Sequence, residues 1–149
     1  MLDKATLIQY CEDTLKVKLE ALNGDMLKLK ESSSNETKSA MGDKYETGAE
    51  LIKQEQDKVA SVLAEVNTQL SLLNKIDSNK SQDQIGFGSL IETSNGYFFI
   101  AIPLGLQKVE GKNVAFVTVQ SPIAQAMIGK TSKDEISFQS RKLKINSIC

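Results

Sequence analysis

Histidine and tryptophan are absent from the 149 residues, and Arg141 is the single arginine. Without histidine there is no Ser-His-Asp or Cys-His catalytic set, no imidazole proton shuttle and none of the common His-containing zinc sites. Chemistry on this chain must use carboxylates, lysine, tyrosine, hydroxyls or a borrowed metal. One arginine leaves little for bidentate reading of base edges. Cysteine is scarce too: Cys11 and Cys149 stand at opposite ends and form no metal-spaced pair, an arrangement that suits a reducing, cytoplasmic setting. No apolar run approaches the length of a membrane span, and MLDKATLIQYCED lacks the basic start and apolar stretch of a signal peptide. Net charge is also lacking, with 18 basic against 19 acidic residues. A chain so balanced has no overall electrostatic pull on nucleic acid or an anionic membrane.

What is present changes character near residue 80. Residues 1–80 hold three of the nine glycines, neither proline and two aromatics, Tyr10 and Tyr45. Residues 81–149 hold the other six glycines, both prolines and six aromatics. The first part is net acidic and the second mildly basic. Asp77-Ser78-Asn79-Lys80-Ser81 reads as the connection between two domains, 1–80 and 81–149.

The first part is helical by period. Ile8, Leu15, Leu22 and Leu29 recur every seven residues, with Cys11, Leu19 and Met26 between them. Ile52, Val59, Val66 and Leu73 repeat the pattern, supported by Val62, Leu63, Leu70 and Ile76. Such spacing predicts two long helices joined by a narrow apolar seam. The polar segment from Glu31 to Ala49 interrupts the seam, so the helices are expected to fold back antiparallel with an acidic tip at about 31–50. A helix over residues 3–31 would extend roughly 43 Å at 1.5 Å per residue. On pattern alone, a spacer or a dimerisation arm fits equally well.

The second part alternates. Leu90-Ile91 and Tyr97 to Ile102 flank Ser94-Asn95-Gly96, a hairpin signal. Glu110 to Asn113 turns into Val114 to Val119, and strands follow at Glu135 to Phe138 and Arg141 to Ile148. Between them, Ser121 to Gly129 carries the marks of a short helix. Ser121 suits the N-cap, Pro122 the first turn and Gly129 a left-handed C-cap. Core residues are expected among Phe87, Phe98, Phe116, Val119, Phe138, Leu143 and Ile145. Gly86-x-Gly88 is too short for a phosphate loop. Lys130, Lys133, Arg141, Lys142 and Lys144 form either a basic face or a solvated strand edge.

Ser121-Pro122-Ile123-Ala124-Gln125-Ala126-Met127-Ile128-Gly129-Lys130, followed by Asp134-Glu135, resembles the C-terminal signature of the Gre-type transcription elongation factors. Ile85-Gly86-Phe87-Gly88-Ser89 resembles that family's entry into the same domain, and in architecture the resemblance spans nearly the whole chain. It implies an α+β fold: a long antiparallel coiled-coil hairpin, then a small FKBP-like, mostly antiparallel β domain with one short helix. It further implies an accessory factor of bacterial RNA polymerase, not an enzyme by itself, acting as a monomer. The coiled coil would enter the polymerase secondary channel and stimulate cleavage at the 3′ end of a backtracked nascent RNA. Ser121, Pro122 and Lys130 would lie in the polymerase-docking domain.

The family's tip reads Gly-Asp-Leu-Ser-Glu-Asn; here it is Gly42-Asp43-Lys44-Tyr45-Glu46-Thr47. By position Asp43 and Glu46 match the two carboxylates that help hold a Mg²⁺ of the polymerase active site, while Lys44, Tyr45 and Thr47 depart from the pattern. Mg²⁺ commonly takes one or two carboxylates plus waters and phosphate oxygens, so the donor types suit the ion. Asp43-x-x-Glu46 also reads as a capping box, as does Ser33-x-x-Glu36, and a cap would fix where the carboxylates point. Glu36 and Glu50 read as solvated. Tyr45 at the tip would stack on a base or pack on its own helices. The altered tip keeps open a channel modulator or inhibitor without cleavage activity, and a coiled-coil adaptor remains a separate reading. Lys133 stands where the family has the glycine of Gly-Asp-Glu.

Overall fold

The computed structural model describes the backbone of residues 2–38 and 43–149, with side chains at 2–32 and 48–149. Its elements run α1 (Lys4–Lys38), α2 (Asp43–Asn74), β1 (Leu90–Thr93), β2 (Gly96–Ile100), β3 (Gly105–Val109), β4 (Lys112–Val117), α3 (Pro122–Met127), β5 (Glu135–Phe138) and β6 (Arg141–Ile148). They form the α+β order expected from the sequence, two long helices followed by a sheet with one short helix. Two compact units emerge: residues 1–13 with 71–149, and residues 14–70.

In the unit of residues 14–70 the seven-residue spacing becomes a seam. Leu15, Val59 and Val66 are buried, while Leu19, Leu22, Met26, Leu29, Ile52, Val62 and Leu63 are half-buried. That gradation is what two helices alone can provide, since each seam residue has a partner on one side only. Leu29 of α1 and Val59 of α2 line one shallow groove with Asp25, Lys28 and Glu55, as the two helices of an antiparallel hairpin should. The helices run further than loss of the seam suggests: α1 continues to Lys38 and α2 begins at Asp43. No proline interrupts residues 1–80, and Ser, Thr and Asn each cost at most about 0.7 kcal/mol in a helix already nucleated.

The other unit is built on a six-stranded sheet of order β3-β4-β2-β1-β6-β5. All named pairs are antiparallel except β2 with β4, which run parallel with Phe99 opposite Phe116. Alternation along β2 serves two cores. Ile100 joins Ile85, Ile91, Ala124, Met127, Ile136, Leu143 and Ile145 in the cluster beneath α3, with Phe98 packed against it. Phe99 faces the other way, edge-on to Phe116 at 6.0 Å, and Phe116 in turn stacks on Tyr10 of α1 at 5.6 Å. The start of α1 therefore belongs to the β unit. It is capped there by Asp3, whose Oδ1 accepts from the Thr6 N–H at 2.8 Å.

Several sequence expectations need correction. Gly105–Val109 was unassigned in the sequence yet forms the edge strand β3, with Leu106 exposed and Val109 buried. The first hairpin turns on Ser94 and Asn95, with Gly96 already paired to Thr93. Of the expected core, Phe116, Leu143 and Ile145 are buried; Phe87, Phe98, Val119 and Phe138 are only half-buried. Phe99, Ile91, Ile100, Ile102 and Val114 take the deepest places. Among the described residues no helix is long and apolar enough to cross a membrane.

Candidate functional site

The segment from Ser121 to Glu135 folds as its residues dictate. Ser121 is the N-cap of α3, with φ −67° and ψ 147°, and its Oγ accepts from the Ala124 N–H at 3.4 Å. The same hydroxyl donates to the Thr118 carbonyl at 2.8 Å, so it ties the helix start to the end of β4. Pro122 occupies the first turn, where its missing N–H costs nothing. Gly129 ends the helix at φ 87°, a left-handed position that a β-carbon would strain. Its N–H donates to the Ile85 carbonyl at 2.9 Å, and the Ile85 N–H donates back to the Lys130 carbonyl at 2.9 Å. Lys130 thus anchors the turn through its backbone and leaves its side chain exposed.

The next turn is closed by Asp134. One carboxylate oxygen accepts from both the N–H and the hydroxyl of Thr131, at 2.8 and 3.1 Å. These bonds, the backbone one foremost, hold the Asp134 carboxyl below its ordinary range, with Lys130 adding a smaller pull. Lys133 sits at φ 75° and donates its N–H to the Ile145 carbonyl at 2.8 Å. A lysine here occupies the left-handed backbone that glycine adopts freely.

Lys142 and Lys144 alternate with the buried Leu143 and Ile145 along β6, so they share the exposed face of that strand; Lys130, Lys133 and Arg141 are exposed as well. Glu135 pairs opposite Lys144 on the edge strand β5. A mixed, charged edge of this kind also discourages pairing with another sheet.

Asp43, Lys44, Tyr45 and Glu46 fall in the first turn of the α2 backbone. Their side chains lie outside the described residues, as do those of Ser33, Glu36 and Thr47. Among the described residues no group of three or more acidic, cysteine or histidine side chains is placed to hold a metal ion. The sequence reading also passed over Lys4, which is 4% exposed and donates to the Lys80 carbonyl at 2.7 Å. Nothing local could have flagged it, because its partner is 76 residues away.

No family model and no curated protein matches the chain. Among solved structures it is similar to the GreA factor homolog 1 (Gfh1) protein of Thermus thermophilus, at 17% identity over 92% of this chain and 93% of that one, with a TM-score of 0.38. A further structure of the transcription factor Gfh1 gives 18% identity, 91% of each chain and a TM-score of 0.37. Thermus aquaticus Gfh1 gives 17% identity over 96% and 95% of the two chains, with a TM-score of 0.35.

Proposed function

We propose that the chain is a Gre-like transcription factor that binds RNA polymerase, presents the α1–α2 tip in the secondary channel and stimulates cleavage of backtracked RNA. The observation that carries this is the joint occurrence of two parts in one chain. One is a long helical hairpin, with helices of 35 and 32 residues. The other is the capped Ser121–Lys130 unit seated on a six-stranded sheet. The polymerase owns the scissile RNA and its metal, so the chain acts as an accessory factor and is not an enzyme in isolation.

In this reading Asp43 and Glu46 supply hard oxygen donors three residues apart in the first turn of α2. Acidic groups in the first turn of a helix are favoured by the positive end of its dipole, typically by about 0.3–1 kcal/mol each. A Mg²⁺ shared with the polymerase would lower the pKa of a bound water and orient it toward the phosphodiester. The chain's own task is to hold two carboxylates at the end of a stiff support. Ser121, Pro122 and Lys130 belong to the docking domain, with the exposed Lys130 side chain and the β6 lysines free to meet an acidic protein surface.

The test uses a backtracked elongation complex incubated with the wild-type chain, with Asp43→Asn and with Glu46→Gln. Accelerated RNA shortening by the wild type, lost in each variant while polymerase binding persists, is the expected result. Lys44-Tyr45 in place of the family's Leu-Ser favours a second reading, a channel modulator that obstructs without cleaving. Binding without shortening selects that reading. Absence of binding overturns both.

A further inference from the structure

Three lysines line one concavity of the β unit. Lys4 comes from the first turn of α1, Lys75 follows the end of α2, and Lys80 lies in the connection to the sheet. Asp77, Gln82 and Phe87 complete most of the wall, and the cavity holds roughly 280 Å³. All belong to the compact unit of residues 1–13 and 71–149.

The charges here are poorly balanced. Among the described residues Lys4, Lys75 and Lys80 form no ion pair, whereas Lys58 and Glu55 do at 3.9 Å. Asp77 is the single carboxylate in the wall, and its Oδ1 is already engaged by the Asn79 N–H at 2.9 Å. Lys4 is buried, with one donor on the Lys80 carbonyl. An ammonium carries three donors, and a buried cation without a close ion pair is costly. Burial accordingly lowers its pKa, against the opposing charges of Cys149 and Asp77. The wall itself is braced: Gln82 donates to the Phe87 carbonyl at 3.2 Å and accepts from the Ser89 hydroxyl.

We propose that this concavity binds a small phosphate-bearing polyanion, with Lys4, Lys75 and Lys80 as its charge partners. A phosphate offers several strong acceptors to ammonium donors, and hydrogen bonds between charged groups are about twice as strong as neutral ones. The volume lies at the lower end of small-ligand cavities, which suits pyrophosphate or the phosphate end of a nucleotide. Phe87 gives an apolar wall for whatever the phosphates carry. The site lies apart in sequence from residues 43–46 and 121–130, so it stands or falls independently of the transcription reading.

Calorimetric titration of the full chain with pyrophosphate, inorganic phosphate and ATP tests the proposal, with sodium chloride at matched ionic strength as control. Saturable 1:1 binding is expected, tighter for pyrophosphate than for phosphate. Lys75→Gln and Lys80→Gln, both at exposed positions, should each weaken it about fivefold or more, the size of one lost charged contact near 1 kcal/mol. Asp77→Asn, which keeps the acceptor for Asn79, should tighten it. If ATP binds more tightly than pyrophosphate and Phe87→Leu removes the difference, a nucleotide is the ligand; equal affinities select an inorganic polyphosphate. No saturable heat, or affinity unchanged in both lysine variants, overturns the proposal.

Discussion

The hydroxyl of Tyr10 donates to Oε1 of Gln107 at 2.9 Å, joining the second turn of α1 to the edge strand β3 across 97 residues. The Tyr10 ring meanwhile stacks on Phe116, 5.6 Å between centroids and 15° between planes. Gln107 is held in turn by its own donation to the Leu104 carbonyl at 2.8 Å. One residue of α1 thus serves the aromatic core with its ring and the sheet edge with its hydroxyl.

Tyr10→Phe keeps the stack and removes the hydrogen bond. The expected loss is about 1 kcal/mol, with Gln107 left short of a partner. Tyr10→Ala removes both and should cost about 3 kcal/mol or more, as large-to-small changes at packed aromatics do. Denaturant titration followed by circular dichroism checks both values. Equal losses in the two variants would assign the whole effect to the hydroxyl and contradict the stacking account.

Lys133→Gly should stabilise the chain. Left-handed backbone at φ 75° costs a residue with a β-carbon about 1–2 kcal/mol, while glycine adds about 0.5–1 kcal/mol of unfolded-state entropy. The difference favours glycine by up to about 1.5 kcal/mol, read as a higher urea midpoint with an unchanged slope. A lower midpoint would show that the lysine side chain contributes more to the folded state than its backbone costs.

The β5–β6 hairpin carries the same kind of strain twice. Gln139 and Ser140 are its two loop residues, at φ 49° and 65°, between the paired Phe138 and Arg141. Positive φ at both central positions is the type I′ requirement, which Asn-Gly meets best. The double change Gln139→Asn, Ser140→Gly should raise stability by about 1 kcal/mol, measured in the same way. Glu110-Gly111 between β3 and β4 already has glycine in one of the two places, at φ 78°.

These turns also show what sequence conveys and what it does not. Seven-residue spacing gave the two helices because a helix seam is a local, periodic property. Ser121, Pro122 and Gly129 gave α3 because each acts within a few residues of itself. Gly105–Val109 escaped notice because an edge strand with Leu106 exposed does not alternate, whereas the strands on either side of Gln139-Ser140 were legible although that turn lacks the residues it prefers. The contacts of Tyr10 and of Lys4 depend on tertiary neighbours 97 and 76 residues away, and no local pattern encodes them. The reading of Asp43 and Glu46 as tip carboxylates rests on family resemblance, and their side chains lie outside the described residues.

Acid should weaken the turn at Thr131–Asp134. The Asp134 carboxyl is held below its ordinary value of 3.8 by the Thr131 N–H and hydroxyl. A carboxyl depressed in the folded state contributes stability above its unfolded pKa, and that contribution is lost as pH falls through the folded value. The Asp134 side-chain resonance should therefore titrate with a midpoint below 3.8. Asp134→Asn should remove this part of the acid dependence. A midpoint above 3.8 would contradict the hydrogen-bond account.

The two thiols should react at very different rates. Cys11 is fully buried, and burial with a smaller contribution from Glu12 pushes its pKa up to about 12. Cys149 is exposed. The thiolate is the reactive form, so Cys11 is shielded both sterically and by protonation. An aromatic disulfide reagent at pH 8 should modify one thiol promptly in the native chain and the second only after unfolding. The slow phase then reports opening of the α1 start, where Cys11 shares the buried face with Leu7 and Leu15. If Tyr10 pins that part of the helix to β3 and Phe116, Tyr10→Ala should accelerate the slow phase several-fold while the fast phase stays unchanged. An unchanged slow phase would mean that Cys11 is exposed only by global unfolding or by opening that does not involve the Tyr10 contacts. A second fast thiol in the native wild type would contradict its burial outright.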